Sequence, residues 1–307
     1  MPSNAFHYYF AKCVYDKMPD EIKHTIDTDK SSYLLGGQGP DILFYLKILR
    51  NIDDPLGSKV HSSFSTLEMF ESSAIYIDST TSDSIFPFLL GQLCHYALDA
   101  NVHPYVYFRE LDDPKFCDKG TEKFYHINFE AALDYICIEE YQHKNSRRYR
   151  SAKHVNISSN ALDEIGKYYE SVVAPMADET LKASEVKRCI RLMRFALRLY
   201  DDRTGIKKIL FSLLERIFKI PRYSSAVLRP RKLRSDADYM NLNRTAYPKH
   251  GNRTGLIVLT VDEMFNFAIR DAVILINNFH DRIVKKTPLD ANLFLRNYAG
   301  SLKPDKN

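Results

Sequence analysis

Apolar residues recur every three or four positions over long stretches of this chain, and strict two-residue alternation is scarce. That spacing places apolar side chains on one face of an α-helix, whereas a half-buried strand needs the two-residue alternation. No linker poor in apolar residues marks a firm domain boundary. The pattern predicts an all-α fold, most simply a single multi-helix domain.

The composition is that of a globular protein with enough apolar residues for a sizeable core. Of the 307 residues, 45% are hydrophobic and 27% are charged, which excludes a disordered or low-complexity chain. The formal net charge is only +4 at pH 7, so bulk charge alone does not predict a polyanionic partner.

The signals for compartment agree with one another. The five cysteines form no Cys-x-x-Cys pair and suggest no disulfide framework, which favours a reducing, intracellular environment. The first residues lack a basic start followed by a long apolar run, and no apolar stretch of about 18 residues follows. We expect a cytoplasmic protein without a transmembrane segment.

Periodicity and capping residues place the individual helices. Ser3 and Asn4 precede a helix that ends near Pro19, and the Gly- and Pro-rich segment 35–41 is a turn that puts Asp41 at the start of the next helix. Further helices are predicted at 57–77, at 82–108 with interruptions at Pro87 and Pro104, and at 121–142, 161–174, 184–199, 206–218 and 261–284.

One stretch of the sequence concentrates positive charge. Residues 219–253 hold nine Lys or Arg against two Asp, and they show no regular periodicity. Such a stretch can contact anionic lipid headgroups or nucleic-acid phosphates, and the alternative is a solvated basic loop. The segment therefore predicts peripheral membrane contact as one option, and a nucleic-acid partner as a less favoured one.

The strongest chemical signal is the run of His95, Asp99 and His103, each four residues from the next. Four residues turn a helix by about 40° beyond one full turn, so the three side chains project from nearly one face. That face borders an apolar stripe, where buried imidazole and carboxylate groups need a partner such as a metal ion. His126 and Glu130 repeat the arrangement on a second helix. The alternative for either pair is an exposed hydrogen bond or ion pair.

The order of such residues along the chain is more specific than any one pair. His7 lies in the first helix, Asp41 in GGQGPDILF and His61 in SKVHSSF, ahead of the two helical motifs. This order resembles the zinc-dependent phospholipase C family, whose wider superfamily includes single-strand-specific nucleases with the same helical fold. The resemblance runs from Met1 to about Leu133 and implies a domain of the phospholipase C and single-strand nuclease type.

The resemblance also implies a set of metal ligands. It carries eight residues over as zinc ligands: His7, Asp41, His61, His95, Asp99, His103, His126 and Glu130. It puts Asp41, His61, His95 and Asp99 on one zinc, His103, His126 and Glu130 on another, and His7 on a third that Asp99 bridges. Secreted members donate an N-terminal Trp to the third ion and this chain has no Trp, so the resemblance implies two or three zinc ions. Residues 1–150 would then be the metal-binding helical region, and residues 151–307 a helical continuation packed on it.

The function that the resemblance implies is that of a zinc-dependent phosphodiesterase of the phospholipase C type. Such an enzyme hydrolyses a phospholipid or a related phosphoester with metal-activated water. Asp41 is the candidate catalytic residue, because a carboxylate beside the attacking water can orient or deprotonate it. Two alternatives remain: a nuclease or nucleotide phosphatase on the same metal core, and a non-catalytic helical metal-binding protein.

Two further expectations concern the surroundings of this site. The long gap between His103 and His126 predicts an enlarged loop at 105–123 near the substrate mouth. The remaining histidines match nothing in the pattern and are expected at the surface: His24, His143, His154, His250 and His280.

Overall fold

The computed structural model describes residues 4–51, 56–111, 122–220, 223–249 and 252–302. The α-helices of these ranges are, in chain order, α1 (Asn4–Lys17), α2 (Asp20–Asp27), α3 (Lys30–Gly36), α4 (Leu46–Arg50), α5 (Leu56–Ser62), α6 (Thr66–Asp78), α7 (Ile85–Leu111), α8 (Glu122–Ile136), α9 (Ser159–Tyr168), α10 (Ala174–Met176), α11 (Ala183–Tyr200), α12 (Ile206–Ile217), α13 (Tyr223–Val227) and α14 (Val261–Val284). Short 3₁₀ helices lie at Gly39–Tyr45, Ser151–His154 and Ala291–Phe294, and π-helical turns at Cys137–Tyr141 and Tyr169–Val173. An antiparallel hairpin pairs β1 (Tyr247–Lys249) with β2 (Asn252–Ile257). The predicted all-α class is confirmed, since this short hairpin is the only sheet in the described ranges.

Helix α7 lies at the centre of the apolar core. It packs most extensively against α3 and α14, and it also contacts α1 and α8. The buried apolar cluster runs from Phe6 to Tyr298, so it draws on both halves of the sequence. The boundary near residue 150 stays a prediction. Among the described residues, no helix combines the length and the apolar character that crossing a bilayer would require.

Two glycines let α3 and α7 touch backbone to backbone. A Cβ atom at Gly36 would lie 2.0 Å from the carbonyl oxygen of Phe88, and one at Gly91 would lie 2.0 Å from that of Tyr33. Any side chain at either position would force the helices apart. Because Gly91 is one turn before His95, this contact sets the position of the histidine motif relative to the 3₁₀ helix that follows α3.

Helix α7 continues through both of its prolines, so the interruptions predicted there were wrong. Pro87 lies in the first turn, where its missing N–H has no helical acceptor to lose. Pro104 lies inside the helix and cannot donate to the carbonyl oxygen of Ala100. Nη1 of Arg296 donates to that oxygen instead, at 3.2 Å. A side chain 196 residues farther along the chain thus replaces the hydrogen bond that the proline removes.

Three other element predictions were wrong in detail. The helix predicted at 57–77 is divided into α5 and α6, because the side chain of Ser65 accepts from the N–H of Glu68 and begins a new helix there. The stretch at 219–253 contains α13 and much of the hairpin. The predicted loop at 105–123 is helical at both ends, and residues 112–121 lie outside the described residues.

Candidate metal centre

Asp99 lies at the middle of the site, on the buried face of α7. Its Oδ1 is 3.2 Å from Nε2 of His7, and its Oδ2 is 2.9 Å from Nε2 of His95. The same Oδ2 is 3.7 Å from Nε2 of His61 and 3.7 Å from Nδ1 of His103. The Asp99 carboxylate therefore lies close to four imidazoles from α1, α5 and α7. Its Oδ1 is directed to His7, and its Oδ2 is directed to His61, His95 and His103.

Asp41 reaches the site from the 3₁₀ helix that follows α3. Its Oδ1 lies 3.3 Å from Nε2 of His61. Gly39 has a φ of +52°, and a Cβ atom there would lie 2.4 Å from Cγ of His95, so the backbone crosses that imidazole as only glycine can. The carbonyl oxygen of Gly37 is 3.1 Å from Nδ1 of His95. The glycine-rich turn thus positions Asp41 and orients His95 together.

A second group of side chains spans α7 and α8. Nε2 of His103 and Nε2 of His126 lie 3.5 Å and 3.2 Å from Oε1 of Glu130. With this group, the described residues contain three sets whose donor atoms lie within 4.8 Å of one another: His7, His95 and Asp99; Asp41, His61 and His95; His103, His126 and Glu130. The structure therefore brings all eight sequence-predicted site residues together.

Oxygen atoms behind the site hold three of the imidazoles by Nδ1. That nitrogen lies 2.6 Å from the Gly57 carbonyl oxygen in His61, 3.0 Å from the Tyr298 carbonyl oxygen in His103, and 2.9 Å from Oε2 of Glu110 in His126. When Nδ1–H donates to these acceptors, the lone pair of Nε2 is directed into the site. None of these acceptors was predicted from the sequence. Glu110 belongs to no recognisable sequence motif, so its contact with His126 could not be read from the sequence.

The residues present fit a zinc centre. Nδ1 of His7 and Nε2 of His95 are buried and have no hydrogen-bond partner among the residues that the structure describes, since the close approach of Asp99 to His95 lacks hydrogen-bond geometry. Such a buried polar atom costs about 1–3 kcal/mol, which a bound cation would offset at His95. Imidazole nitrogen and carboxylate oxygen are the donors that zinc takes in proteins.

Mutual electrostatics keeps the acidic groups of the site ionised. Burial alone would raise the pKa of Asp99 and of Glu130, but the positively charged groups facing them hold both pKa values well below their usual range. Burial lowers the pKa of His126, and the carboxylates of Glu130 and Glu110 outweigh it, so that this pKa is about 9. The carboxylates are therefore in the form that binds metal.

The site is closed at one end and open at the other. The His95 side chain is fully buried, while those of His61, His103 and His126 expose 12%, 13% and 19% of their surface. The ring of Tyr107, which is 39% exposed, lies 5.2 Å from that of His126. The open end is therefore on the side of α8, next to an accessible aromatic ring.

The last described residues form a segment, 295–302, that we call the C-terminal strap. It packs across α7, and the ring of Tyr298 lies 5.2 Å from His61 and 5.7 Å from His95. The backbone oxygen of Arg296 accepts from the hydroxyl of Tyr96 at 2.9 Å. The strap thus forms part of the wall of the site, a contribution that was not predicted from the sequence.

The surface position expected for the remaining histidines was wrong for two of them. His154 is buried, stacks on Tyr8 with ring centroids 3.6 Å apart, and has Nδ1 2.9 Å from Oδ1 of Asn4. Burial lowers the pKa of His154 to about 3. His280 is also buried, on α14. The other three are His24 and His143, which are exposed, and His250, which lies outside the described residues.

Comparison with known proteins gives one match. A family model described as zinc dependent phospholipase C matches residues 6–169, which is more than half of the chain and includes all eight predicted site residues. Tyr298 and the strap lie outside the matched residues. No curated protein and no solved structure matches the chain.

Proposed function

Because this chain belongs to the zinc-dependent phospholipase C family, we propose that it hydrolyses a phosphodiester bond of a phospholipid. The observation that carries this proposal is the convergence of eight candidate ligands, Asp99 and seven side chains around it, from four helices and one 3₁₀ turn. A polynuclear set of this kind suits phosphoester hydrolysis, because the reaction needs charge neutralised on both sides of the phosphorus.

We assign the ligands to three sets, two of which share Asp99. Asp41, His61, His95 and Asp99 would hold one ion, and His103, His126 and Glu130 would hold a second. His7 would hold a third ion together with Asp99. The directions of the two Asp99 oxygens support this division, since Oδ1 faces His7 and Oδ2 faces His95.

Zinc bound there would supply a Lewis acid that lowers the pKa of water and neutralises phosphate oxygens. Asp41 is the residue that we assign to orient the attacking water. It is only slightly exposed, and it lies 3.3 Å from His61, one of the partly exposed imidazoles. Burial would raise the pKa of Asp41, but His61, His95 and other positive charges bring it below its usual value. Asp41 is therefore ionised, and its carboxylate can accept a hydrogen bond from the attacking water and orient it.

Aromatic rings at the open end suit the apolar part of a lipid. Tyr107 borders His126, and the ring of Phe44 lies 5.2 Å from that of His61. Apolar rings next to a charged site present both surfaces that a phospholipid needs, one for the headgroup phosphate and one for the glycerol and acyl part.

The test combines metal content with a substrate panel. Protein purified without added metal or chelator should contain two or three zinc ions per chain by elemental analysis, and should hydrolyse phosphatidylcholine. Chelation should abolish the activity, and zinc should restore it. Asp41→Asn should reduce the rate far more than the zinc content.

Three outcomes would contradict the proposal. Cleavage of single-stranded DNA with none of phosphatidylcholine would select the nuclease alternative. Tightly held zinc without hydrolysis of either substrate would select a structural metal site. Fewer than two ions after incubation with zinc would remove the polynuclear centre itself.

A further inference from the structure

Helix α12 has its amphipathic faces reversed. Two of its polar residues face the protein: Oε1 of Glu215, which is 3% exposed, accepts from the N–H of Ser225 at 3.0 Å, and Nζ of Lys208 donates to the carbonyl oxygen of Leu228 at 2.8 Å. Its aliphatic residues face outward, with exposures of 64% for Ile206, 67% for Ile209, 47% for Leu210, 52% for Leu213, 37% for Leu214 and 60% for Ile217. A contiguous exposed apolar face of this kind marks an interaction surface. We call it the α12 face.

The sequence around the α12 face is strongly basic. Residues 187–234 contain fifteen Lys or Arg and three acidic residues. All three acids are engaged within the protein: Asp201 pairs with Arg229 at 3.3 Å, Asp202 accepts from the N–H of Gly205 at 2.8 Å, and Glu215 holds Ser225. The charge left around the apolar residues is therefore positive.

A cationic cleft adjoins the start of α12. It has a volume of about 600 Å³ and is lined by Asn145, Arg147, Arg148 and Arg203. Arg203 precedes the first exposed residue of the α12 face, Ile206, by only three positions. Three guanidinium groups around one cleft suit phosphate groups, since arginine binds them with two parallel hydrogen bonds.

These features fit one occupant, the surface of an anionic lipid bilayer. A helix that lies in such a surface buries aliphatic side chains among acyl chains and places cations at the headgroups. A second copy of this chain would cover the apolar residues equally well, but it would bring two basic borders against each other, which is unfavourable. Charge complementarity therefore favours the lipid surface.

The α12 face is close to the candidate metal centre. Helix α12 packs on α13, and α13 packs on α8, which carries His126 and Glu130. Burial raises the pKa of Tyr223 of α13, and Tyr200, Glu130 and Asp41 add to that effect, so Tyr223 is within electrostatic reach of the site. A surface bound to α12 would lie near the opening of the site.

We propose that the α12 face docks the protein on anionic membranes, with Ile209 and Leu213 inserted among the lipids and the arginine cleft holding headgroup phosphates. Its role in delivering substrate rests on the proposed function, whereas the docking itself does not require hydrolysis. The surface is thus an element separate from the metal ligands, and substitutions there leave the chemistry intact.

Vesicle sedimentation with the full-length metal-loaded protein tests the proposal. The protein should cosediment with vesicles of equal parts phosphatidylcholine and phosphatidylserine, and much less with vesicles of phosphatidylcholine alone. The double variant Ile209→Glu with Leu213→Glu should lower the partition by roughly tenfold or more, because it replaces two inserted aliphatic groups. Arg203→Glu should weaken binding to the anionic vesicles as well.

The matched control is Ile75→Glu, at an equally exposed isoleucine (64%) on α6, which should bind as the unchanged protein does. Hydrolysis of soluble bis-p-nitrophenyl phosphate by each variant separates this proposal from the proposed function. Unchanged sedimentation of the double variant, or no sedimentation with anionic vesicles, would overturn docking whatever the hydrolysis. A dimer in light scattering that the double variant loses, without vesicle binding, would assign the α12 face to a second copy.

Discussion

Nδ1 of His103 lies 3.0 Å from the carbonyl oxygen of Tyr298, although 195 residues separate the two along the chain. The contact makes the strap, which lies outside the residues that the family model matches, part of the candidate metal centre. The ring of Tyr298 packs near His61 and His95, while its hydroxyl group is buried and finds no hydrogen-bond partner in the described part of the chain. The ring and the backbone of this residue therefore support the site, and the hydroxyl group does not.

Substitutions at Tyr298 separate these contributions. Tyr298→Phe should keep its zinc and be at least as stable, because it removes an unpartnered buried hydroxyl. Tyr298→Ala should lose about 3–5 kcal/mol of unfolding free energy through the cavity that it leaves. Urea unfolding and zinc content measure both effects. Loss of zinc in Tyr298→Phe at unchanged stability would instead give the hydroxyl a part in the site.

Asp99→Asn should lose zinc and phosphodiester hydrolysis together. The amide has one oxygen in place of two, so it cannot face His7 and His95 with acceptor atoms at once. Elemental analysis and a hydrolysis assay on the same preparation measure the two losses. Asp163→Asn, at a carboxylate with 51% of its side chain exposed, is the matched control and should change neither. Full activity of Asp99→Asn would remove our site assignment.

Glu110→Gln should weaken zinc binding by about 10–100-fold, as expected when the partner behind a metal-binding histidine is lost. Oε2 of Glu110 lies 2.9 Å from Nδ1 of His126, and the carboxylate stabilises the imidazole orientation more strongly than an amide does. Competition with a zinc-binding dye gives the affinities. Glu170→Gln, at an exposed glutamate, provides the comparison. Equal affinity in both variants would show that Glu110 does not support His126.

His154→Gln should reduce the acid sensitivity of the fold. The pKa of His154 is about 3 in the folded protein, against an ordinary value of 6.5. Between these values the unfolded chain binds a proton that the folded protein does not, so stability is lost as pH falls below about 6.5, by about 1.4 kcal/mol per pH unit. Urea unfolding at neutral and mildly acidic pH should show a smaller loss in the variant. His24→Gln, at an exposed histidine, should keep the full loss; equal losses in all three proteins would contradict the buried neutral imidazole.

The sequence predicted the helical class and the convergence of the eight site residues. Four-residue spacing fixes which side chains share a helix face, so His95, Asp99 and His103 had to lie together if the helix formed. The structure places His7, Asp41 and His61 beside them, as the family resemblance implied. Their role as zinc ligands stays a prediction.

The contacts that complete the site could not be predicted in the same way. The acceptor for His103 is a backbone oxygen, which every residue has, so the type of residue 298 gives no signal. Arg296 donates to the Ala100 carbonyl oxygen in place of the N–H that Pro104 lacks, and this hydrogen bond depends on packing between distant segments. Neither His154 nor His143 belongs to a recognised motif, and only the tertiary structure shows that His154 is buried while His143 is exposed.

Helix α12 shows a different limit. Its periodicity was sufficient to predict a helix at 206–218, and the structure has one at Ile206–Ile217. Periodicity shows that a helix has two unlike faces, but it does not show which face packs on the protein. The usual assumption places the apolar face inward, and here Glu215 takes that position.

The strap has a consequence for the order in which the protein is made. A ribosome releases the chain from its N-terminus, so all eight candidate ligands are synthesised before Tyr298 and Arg296. Until those residues emerge, His103 lacks its carbonyl acceptor and the carbonyl oxygen of Ala100 lacks its guanidinium donor. The nascent polypeptide therefore carries every candidate ligand well before it can hold them in their final orientation, and the centre is completed only after the strap has been synthesised.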